Sequence, residues 1–353
     1  MPFCNNCGNE IEAVARFCVR CGAGIAQAVV VPPPAPKATP HRLTFHGAGG
    51  ELLLLYIKTI LLSIVTLGIY SFWGRTRIRS FFAENTRFDN VAFAYHGTGL
   101  ELLTGFAKAI GLVLLLGVQM GVCILAAGET AGAIIGGIIF AAGILILAPL
   151  AMIGAWRYRL SRTSLRGIRF SFRGNLIDFS KIYFPGLLLT IVTFSLYAPY
   201  FWNNIRRYYA NNAYYGNARF AYNGEGRDLF VPWILSLILT PFTLGISMLW
   251  FQLQRFNYQW SRTQFQSARF ASAIAFGDFF LLHLTNLLLT IFTLGIATPW
   301  VMIRTVRFAF DRVTLNGELS LQSIAQEFID SGATGEGIES LLEDGATDLG
   351  FGM

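Results

Sequence analysis

The chain has 353 residues, of which 54% are hydrophobic and 13% are charged, and its net charge is +7. Ordinary soluble domains contain about 25% charged residues. A soluble globule of this size could not bury so much apolar surface, and the same composition excludes secreted disulfide scaffolds and disordered chains. The composition therefore predicts a polytopic membrane protein.

The basic residues are concentrated in the apolar part of the chain. Residues 41–312 contain 24 Lys and Arg but only 10 Asp and Glu, and the bases follow the apolar runs. Guanidinium groups at such positions reach lipid phosphates. We therefore expect these charges to contact a bilayer with anionic headgroups. We expect no nucleic-acid partner, because the bases do not form one soluble basic face.

Four of the five cysteines form two matched pairs, Cys4 with Cys7 and Cys18 with Cys21. Two CxxC turns can place four thiolates around one tetrahedral Zn²⁺, so residues 1–25 are predicted to form a zinc ribbon with one zinc per chain. Disulfides and a redox CxxC are the alternatives. Four thiolates leave no open coordination position, so this zinc would be structural.

The predicted ribbon has two Glu and two Arg and hence no net charge. Phosphate binding is therefore disfavoured, and a protein partner is expected for a docking or sensing module. Reduced thiols favour the cytoplasm. The N-terminus is accordingly predicted to be cytoplasmic.

A Pro-rich linker at residues 26–42 is predicted to join the ribbon to a membrane domain at residues 43–319. Six apolar runs in that domain are each long enough to cross the roughly 30 Å hydrocarbon layer. These predicted spans lie near residues 52–73, 102–127, 131–155, 182–202, 229–251 and 279–303. Residues 320–353 are predicted to be an acidic, partly disordered tail.

The membrane domain contains repeats of about 50 residues. Asp178, Asp228 and Asp278 open successive apolar runs at intervals of 50 residues, as do Glu51 and Glu101. Fifteen residues beyond four of these acids, a threonine begins a TLGI-like segment; these threonines are Thr66, Thr193, Thr243 and Thr293. An acid favours a helix start, and the following Gly favours a helix break.

A basic helix and a short alternating stretch complete the predicted unit. VAFAYH from residue 91 and ARFAYN from residue 218 alternate as β-hairpin strands do. The predicted fold class is therefore an all-α polytopic membrane protein with short interfacial β-hairpins and a small N-terminal zinc ribbon.

TLGIYSFWGRTRIRSFF at residues 66–82, followed by FAYHGTGLELL at 93–103, resembles the YjgN family of bacterial inner-membrane proteins. The resemblance covers about residues 43–315 and leaves the ribbon outside. It implies a multi-pass location in the bacterial inner membrane. It implies no established substrate and therefore no functional residues.

The repeat conflicts with simple spanning. Copies that each cross once must alternate in orientation, so half of the basic helices would lie on the side that the positive-inside rule disfavours. Re-entrant segments that break at TLGI would remove this conflict, but fifteen helical residues reach only about 22 Å. We retain six spans and a cytoplasmic ribbon as the prediction.

Several polar residues could form a site inside the membrane. Lys58 and Lys108 each lie seven residues after a repeated acid, on the same helix face, and His283 lies within an apolar run. Together with Glu51, Glu101, Asp178, Asp228 and Asp278 they are the candidate polar site residues. Snorkelling lysines, a hydrogen-bonded histidine and capping acids are the structural alternatives.

No catalytic motif is present in the chain, so no enzymatic activity is predicted. Broken helices at repeated positions favour transport of an ion or small solute. The alternative is a lipid-binding or scaffold protein that holds headgroups with Arg and Trp side chains.

Overall fold

The computed structural model describes Glu10, residues 20–22 and residues 40–326. Residues 40–326 belong to one compact unit, and the other described residues belong to a second, N-terminal unit. Within residues 40–326 the chain forms ten α-helices and ten short β-strands, in which pairs of helices alternate with pairs of strands.

The helices are α1 Gly49–Val65, α2 Ser71–Asn85, α3 Gly99–Ala127, α4 Glu129–Ser161, α5 Leu176–Val192, α6 Ala198–Asn211, α7 Phe230–Leu239, α8 Ile246–Ser261, α9 Phe276–Phe292 and α10 Thr298–Arg312. The strands are β1 His41–Phe45, β2 Thr86–Phe88, β3 Val91–Tyr95, β4 Thr163–Leu165, β5 Ile168–Phe172, β6 Ala213–Tyr215, β7 Ala218–Tyr222, β8 Thr263–Phe265, β9 Ala268–Ser272 and β10 Val313–Asn316. Short 3₁₀ turns cover Gly226–Leu229 and Leu321–Ser323.

The ten strands close into one antiparallel barrel in the order β1-β10-β9-β8-β7-β6-β5-β4-β3-β2. The closing pair joins distant parts of the chain, with His41 opposite Leu315. Successive connections between antiparallel neighbours alternate between the two ends of a barrel. All five helix pairs therefore leave from one end, which we call the helix end. The tight turns, and both ends of the chain from residue 40 to 326, lie at the opposite turn end.

Two-residue turns join the strands of each β-hairpin. Asp89 and Asn90 both have positive φ angles, 47° and 66°, and so do Arg166 and Gly167, at 52° and 79°. Positive φ at both central residues is the type I′ geometry that matches the twist of short antiparallel strands. These turns allow strands of three to five residues to pair in register.

An apolar cluster holds the barrel together. Leu165, Tyr215 and Phe265 come from three different strands and are buried against one another. Ile324, beyond the last strand, is 6% exposed and joins the same cluster. The segment after β10 thus closes the turn end with an apolar side chain.

Hydrogen bonds from the hairpin turns to backbone carbonyls attach this C-terminal segment to the barrel. The Ser267 hydroxyl donates to the Glu318 carbonyl at 2.7 Å, and the Asn217 amide donates to the Ala325 carbonyl at 3.2 Å. The described part of the predicted tail, residues 320–326, therefore packs on the barrel. The remainder of that predicted tail lies outside the described residues.

The predicted all-α polytopic fold is wrong, because a closed ten-strand antiparallel barrel organises the helices. Within the described residues, only α3 and α4 are long and apolar enough to cross a membrane. The four predicted spans at 52–73, 182–202, 229–251 and 279–303 are each interrupted and contain the end of one helix and the start of the next. The interruption arises because backbone angles at the TLGI-like segments are incompatible with a continuous helix.

Candidate functional site

The TLGI-like segments form the tips of four helix pairs. At the first tip, the Thr66 hydroxyl donates to the Leu62 carbonyl at 2.7 Å and accepts from the Tyr70 amide at 2.9 Å. The same threonine therefore follows the last residue of α1 and binds the backbone amide of Tyr70, the residue directly before α2. Thr193, Thr243 and Thr293 make the equivalent pair of bonds at the other three tips.

A large apolar side chain follows the threonine at each tip. Leu67 is 93% exposed, Phe194 89%, Leu244 95% and Leu294 92%. All four have positive φ angles, which are uncommon for residues other than glycine. Four strained and exposed apolar side chains at equivalent positions indicate a surface that contacts an apolar medium.

The α3–α4 pair is much longer than the others. These helices have 29 and 33 residues, so each extends more than 40 Å at about 1.5 Å per residue. Their most apolar 18-residue windows are only 6% and 11% buried, which is unlike a soluble core helix. A Cβ atom at Gly132 would lie 2.3 Å from the Cys123 carbonyl oxygen, so the two helices approach closely at this glycine.

The repeated acids all lie where the sequence places helix starts. Glu51, Glu101, Asp178 and Asp278 are in the first turns of α1, α3, α5 and α9, and Asp228 is in the 3₁₀ turn before α7. Thr98 and Glu101 form a capping box at the start of α3.

Three of these acids pair with an arginine at the end of the second helix of the same pair. The distances are 2.6 Å for Glu101–Arg162, 3.7 Å for Asp228–Arg262 and 2.8 Å for Asp278–Arg312. We call these three contacts the hairpin-base ion pairs. They tie the two helices of a pair together at the helix end of the barrel.

The structure does not bring the other candidate polar residues together. Lys58 lies on α1, Lys108 on α3 and His283 on α9, and both lysines are exposed. His283 Nδ1 lies 2.9 Å from the carbonyl oxygen of Phe279, which is one turn earlier in the same helix. Asp178 pairs with Lys181 at 3.0 Å on the exposed side of α5.

Side chains of the second helices bind the segment that leads into the next pair. Arg157 donates to the Gly174 carbonyl at 2.7 Å, and Arg207 donates to that of Gly224 at 2.6 Å. At the equivalent positions, the Asn257 amide donates to the Ile274 carbonyl, and the Arg307 guanidinium donates to the Gly47 carbonyl. The last bond runs from the final helix to the segment before the first, so the helix pairs close into a ring.

The junction between α6 and β7 in this ring is polar, and the candidate site residues predicted from the sequence do not include it. Asn203 and Tyr222 are each 1% exposed, and the Tyr222 hydroxyl donates to Asn203 Oδ1 at 2.6 Å. The Arg206 guanidinium lies over the Trp260 ring at 5.7 Å. The Arg255 guanidinium lies over the Trp202 ring at 5.3 Å. We call Asn203, Arg206, Tyr222 and Arg255 the arginine junction.

Burial governs the electrostatics of this junction. It lowers the pKa of Arg206 to about 10, with the neighbouring Arg255 acting in the same direction, and it also lowers the pKa of Arg255. It raises the pKa of Tyr222, which therefore remains a neutral donor. Arginine stays protonated at neutral pH, so the junction holds two positive charges. A comparison of the repeats could have revealed this site. Two repeats of about 50 residues separate Asn203 and Arg206 from Ile303 and Val306, so polar residues stand in one copy where the other has apolar ones.

Residues 40–245 and 232–341 match the family described as "Bacterial protein of unknown function (DUF898)". The chain belongs to this family. The membership predicted from the TLGI-containing segment is thereby confirmed, and the family covers the barrel together with all ten helices.

Inner membrane protein YjgN of Salmonella typhimurium strain LT2 is 30% identical over 134 residues, which are 38% of this chain and 31% of that protein. The protein of the same name from Escherichia coli K12 is 26% identical over 160 residues, or 43% of this chain and 36% of that protein. The aligned segments span about a third of these relatives. No solved structure matches the chain.

Residues 3–25 match a zinc-ribbon domain, as the cysteine spacing predicts. Cys4, Cys7 and Cys18 lie outside the described residues, and Cys21 is exposed. Within residues 40–326, no group of three or more His, Cys, Asp and Glu side chains could hold a metal ion. The four cysteine thiolates of a zinc-ribbon domain have the chemistry of ligands for a structural Zn²⁺.

Proposed function

We propose that this protein is a lipid-binding inner-membrane protein that inserts its helix pairs into the bilayer from the cytoplasmic side. The observation that carries the proposal is the set of four apolar tips, each about nine-tenths exposed in a positive-φ conformation. Exposure of such side chains to water is unfavourable, whereas lipid solvates them. The inner-membrane relatives support the same location.

The one-sided arrangement of the helix pairs supports this topology. All five pairs leave the helix end of the barrel, so they can enter the same membrane face without alternating in orientation. The basic residues of all the second helices then lie on one side, as the positive-inside rule favours for the cytoplasm. The α3–α4 pair is long enough to cross and return, and the four shorter pairs would enter without crossing.

The placement of the candidate polar residues favours lipid binding over transport. Lys58 and Lys108 are exposed on separate helices, which fits lysines that extend to headgroups. Transport by a shared intramembrane site would need such residues to converge. The proposed activity is non-enzymatic. The ribbon is proposed to be a cytoplasmic docking or sensing module.

Cysteine labelling in whole cells tests this topology. Single substitutions Asn90→Cys and Ser267→Cys report on the turn end, Glu129→Cys on the α3–α4 tip, and Leu244→Cys on a short tip. We expect a membrane-impermeant maleimide to label only Glu129→Cys in intact cells. After permeabilisation it should also label the turn-end cysteines, but not Leu244→Cys, because lipid surrounds that tip. The unsubstituted chain gives the background from native cysteines.

Two results would contradict the proposal. Labelling of Leu244→Cys as strong as that of Ser267→Cys after permeabilisation would place the short tips in water. Labelling of Asn90→Cys but not Ser267→Cys in intact cells would place the two turns on opposite sides of the membrane. Leu244→Phe is the control for the effect of a substitution at this tip on folding. The chain already has a phenylalanine, Phe194, at the equivalent tip position of another pair.

A further inference from the structure

The arginine junction contains two positive charges without a negative partner, one on the buried Arg206 and one on the partly buried Arg255. Arg206 is 9% exposed, and within residues 40–326 neither Arg206 nor Arg255 forms an ion pair with a carboxylate. Arg206 Nε is buried and has no hydrogen-bond partner in the described part of the chain. A buried charge without a counter-charge is strongly unfavourable, so this arrangement calls for an anion.

The fold itself does not require polar residues at this place. Asn203 and Arg206 lie ten and seven residues before the start of β6, and Ile303 and Val306 occupy the same positions before β10. Phe45 takes the place of Tyr222, because each ends its strand opposite the first residue of the next strand. The α10–β1 junction is thus filled by apolar residues that pack in one core cluster.

The second arginine has an apolar counterpart as well. Arg255 lies eight residues before β8, and Ile78 lies eight residues before β2. Ile78 packs against the cluster that contains Phe45, Ile303 and Val306. We call these four residues the apolar junction. Every charged or polar member of the arginine junction therefore has an apolar equivalent in the same molecule, which indicates that the arginines serve binding.

We propose that Arg206 and Arg255 bind a phosphate-class oxyanion between α6 and α8. The Arg206 and Arg255 guanidinium carbons lie 5.7 Å and 5.3 Å from the centres of the Trp260 and Trp202 rings, and Arg206 Nε has no hydrogen-bond partner among the described residues. Guanidinium N–H groups bind tetrahedral oxyanions strongly. Asn203 does not compete for these groups, because its amide donates to the Gly224 carbonyl at 3.0 Å and its oxygen accepts from Tyr222. Arg255 is only partly buried, so an anion can approach from its side.

The phosphate can come from a phospholipid headgroup or from a soluble phosphate compound. The first arm of the test follows the thermal unfolding of the full chain in mild detergent, titrated with inorganic phosphate and with chloride at matched ionic strength. The second arm uses native mass spectrometry to count phospholipids that remain bound after extraction. The variants are Arg206→Met, Arg255→Met and the double variant Arg206→Val with Arg255→Ile, which copies the apolar junction. The control Arg269→Met removes an exposed arginine from the barrel.

A saturable rise of the unfolding temperature with phosphate, and not with chloride, supports the site. Its apparent affinity should fall at least about tenfold in each single variant and remain unchanged in Arg269→Met. A phospholipid retained by the wild type and lost from the double variant identifies a headgroup as the source. Phosphate stabilisation without a retained lipid identifies a soluble source.

The proposal is overturned if phosphate and chloride act alike on the wild type and no retained lipid depends on the arginines. The wild-type titration needs no variant, so the comparison of phosphate with chloride can be made even if a substitution prevents folding. The site does not depend on how deeply the helix tips enter the bilayer. Failure of the labelling experiment would therefore leave this proposal open to its own test.

Discussion

The long α3–α4 pair and the four short pairs use the same unit in two ways. Each pair has an acid at its start, in the first turn of the first helix or, for Asp228, in the 3₁₀ turn before α7, and each second helix leads back into the barrel. In the long pair the helices approach closely at Gly132, and a half-buried ion pair of 2.6 Å closes the base. In the α5–α6 pair, Asp178 instead contacts Lys181 within its own helix.

The comparison shows that the base and the tip of a pair are built independently. A threonine and a positive-φ residue end the short pairs, whereas Gly128, with a φ angle of 83°, separates α3 from α4. Lengthening a pair thus needs a new tip and closer helix contact but no change in the barrel. The following substitutions test this division.

Gly132→Leu should have the largest effect. Its Cβ atom would lie 2.3 Å from the Cys123 carbonyl and would push α3 and α4 apart. Forcing such volume into a packed contact costs about 1–3 kcal/mol or more. We expect lower free energy of unfolding in detergent, measured by denaturant titration. Gly137→Leu is the matched control, because nothing lies within 4 Å of its Cβ position; equal losses in both variants would contradict the close contact.

Glu101→Gln should have the second largest effect and lower the free energy of unfolding by about 1–2 kcal/mol. The Glu101 carboxylate accepts hydrogen bonds from both Arg162 and the Tyr158 hydroxyl. The measurement is again the free energy of unfolding. Asp178→Asn is the control and should change stability by about 0.5 kcal/mol or less, because its ion pair is exposed. If Asp178→Asn lowers stability as much as Glu101→Gln does, the ion pair at the base of the long pair contributes no more than an exposed one.

Thr66→Val should lower the free energy of unfolding by about 1 kcal/mol, because the isosteric side chain can neither donate to the Leu62 carbonyl nor accept from the Tyr70 amide. The effect should repeat in Thr293→Val, which makes the same bonds at its own tip. Circular dichroism during thermal unfolding in detergent measures both. Unequal losses at the two tips would argue against equivalent tip structures.

Substitution of His96, which lies just before α3, should have the smallest effect on stability. Burial, and then the charges of Arg169 and Arg162, lower its pKa below the ordinary value. The unfolded chain therefore binds the proton more tightly, and stability should fall as the pH drops below about 6.5. Unfolding temperatures at pH 7.5 and 5.5 should differ less in His96→Gln than in the wild type. An unchanged difference would exclude His96 as a contributor.

Local signals predicted much of each unit. An acid before an apolar run marks the starts of α1, α3, α5 and α9, and TLGI marks the breaks, because caps and positive-φ positions depend on a few neighbouring residues. The alternating stretches from residues 91 and 218 are β3 and β7. The cysteine spacing predicted the ribbon for the same reason, and the matching domain covers residues 3–25.

The fold class could not be predicted in this way. Strands of three to five residues carry little signal alone, and their closure depends on pairs such as His41 with Leu315, which are far apart in the sequence. The four predicted spans that the structure interrupts, at 52–73, 182–202, 229–251 and 279–303, have the same origin. A long apolar run was interpreted as one helix that crosses the membrane. In the structure, both ends of every helix pair join the same end of the barrel.

The order of helix starts, breaks and basic segments follows from the local sequence, because each depends on contacts within a turn or two. Long-range packing instead places all the pairs on one side of a barrel, closes the ring between Arg307 and Gly47, and brings Arg206 near Arg255 without an acid. Those properties arise from burial and from pairing between distant segments. Neither can be read from the residues next to them in the chain.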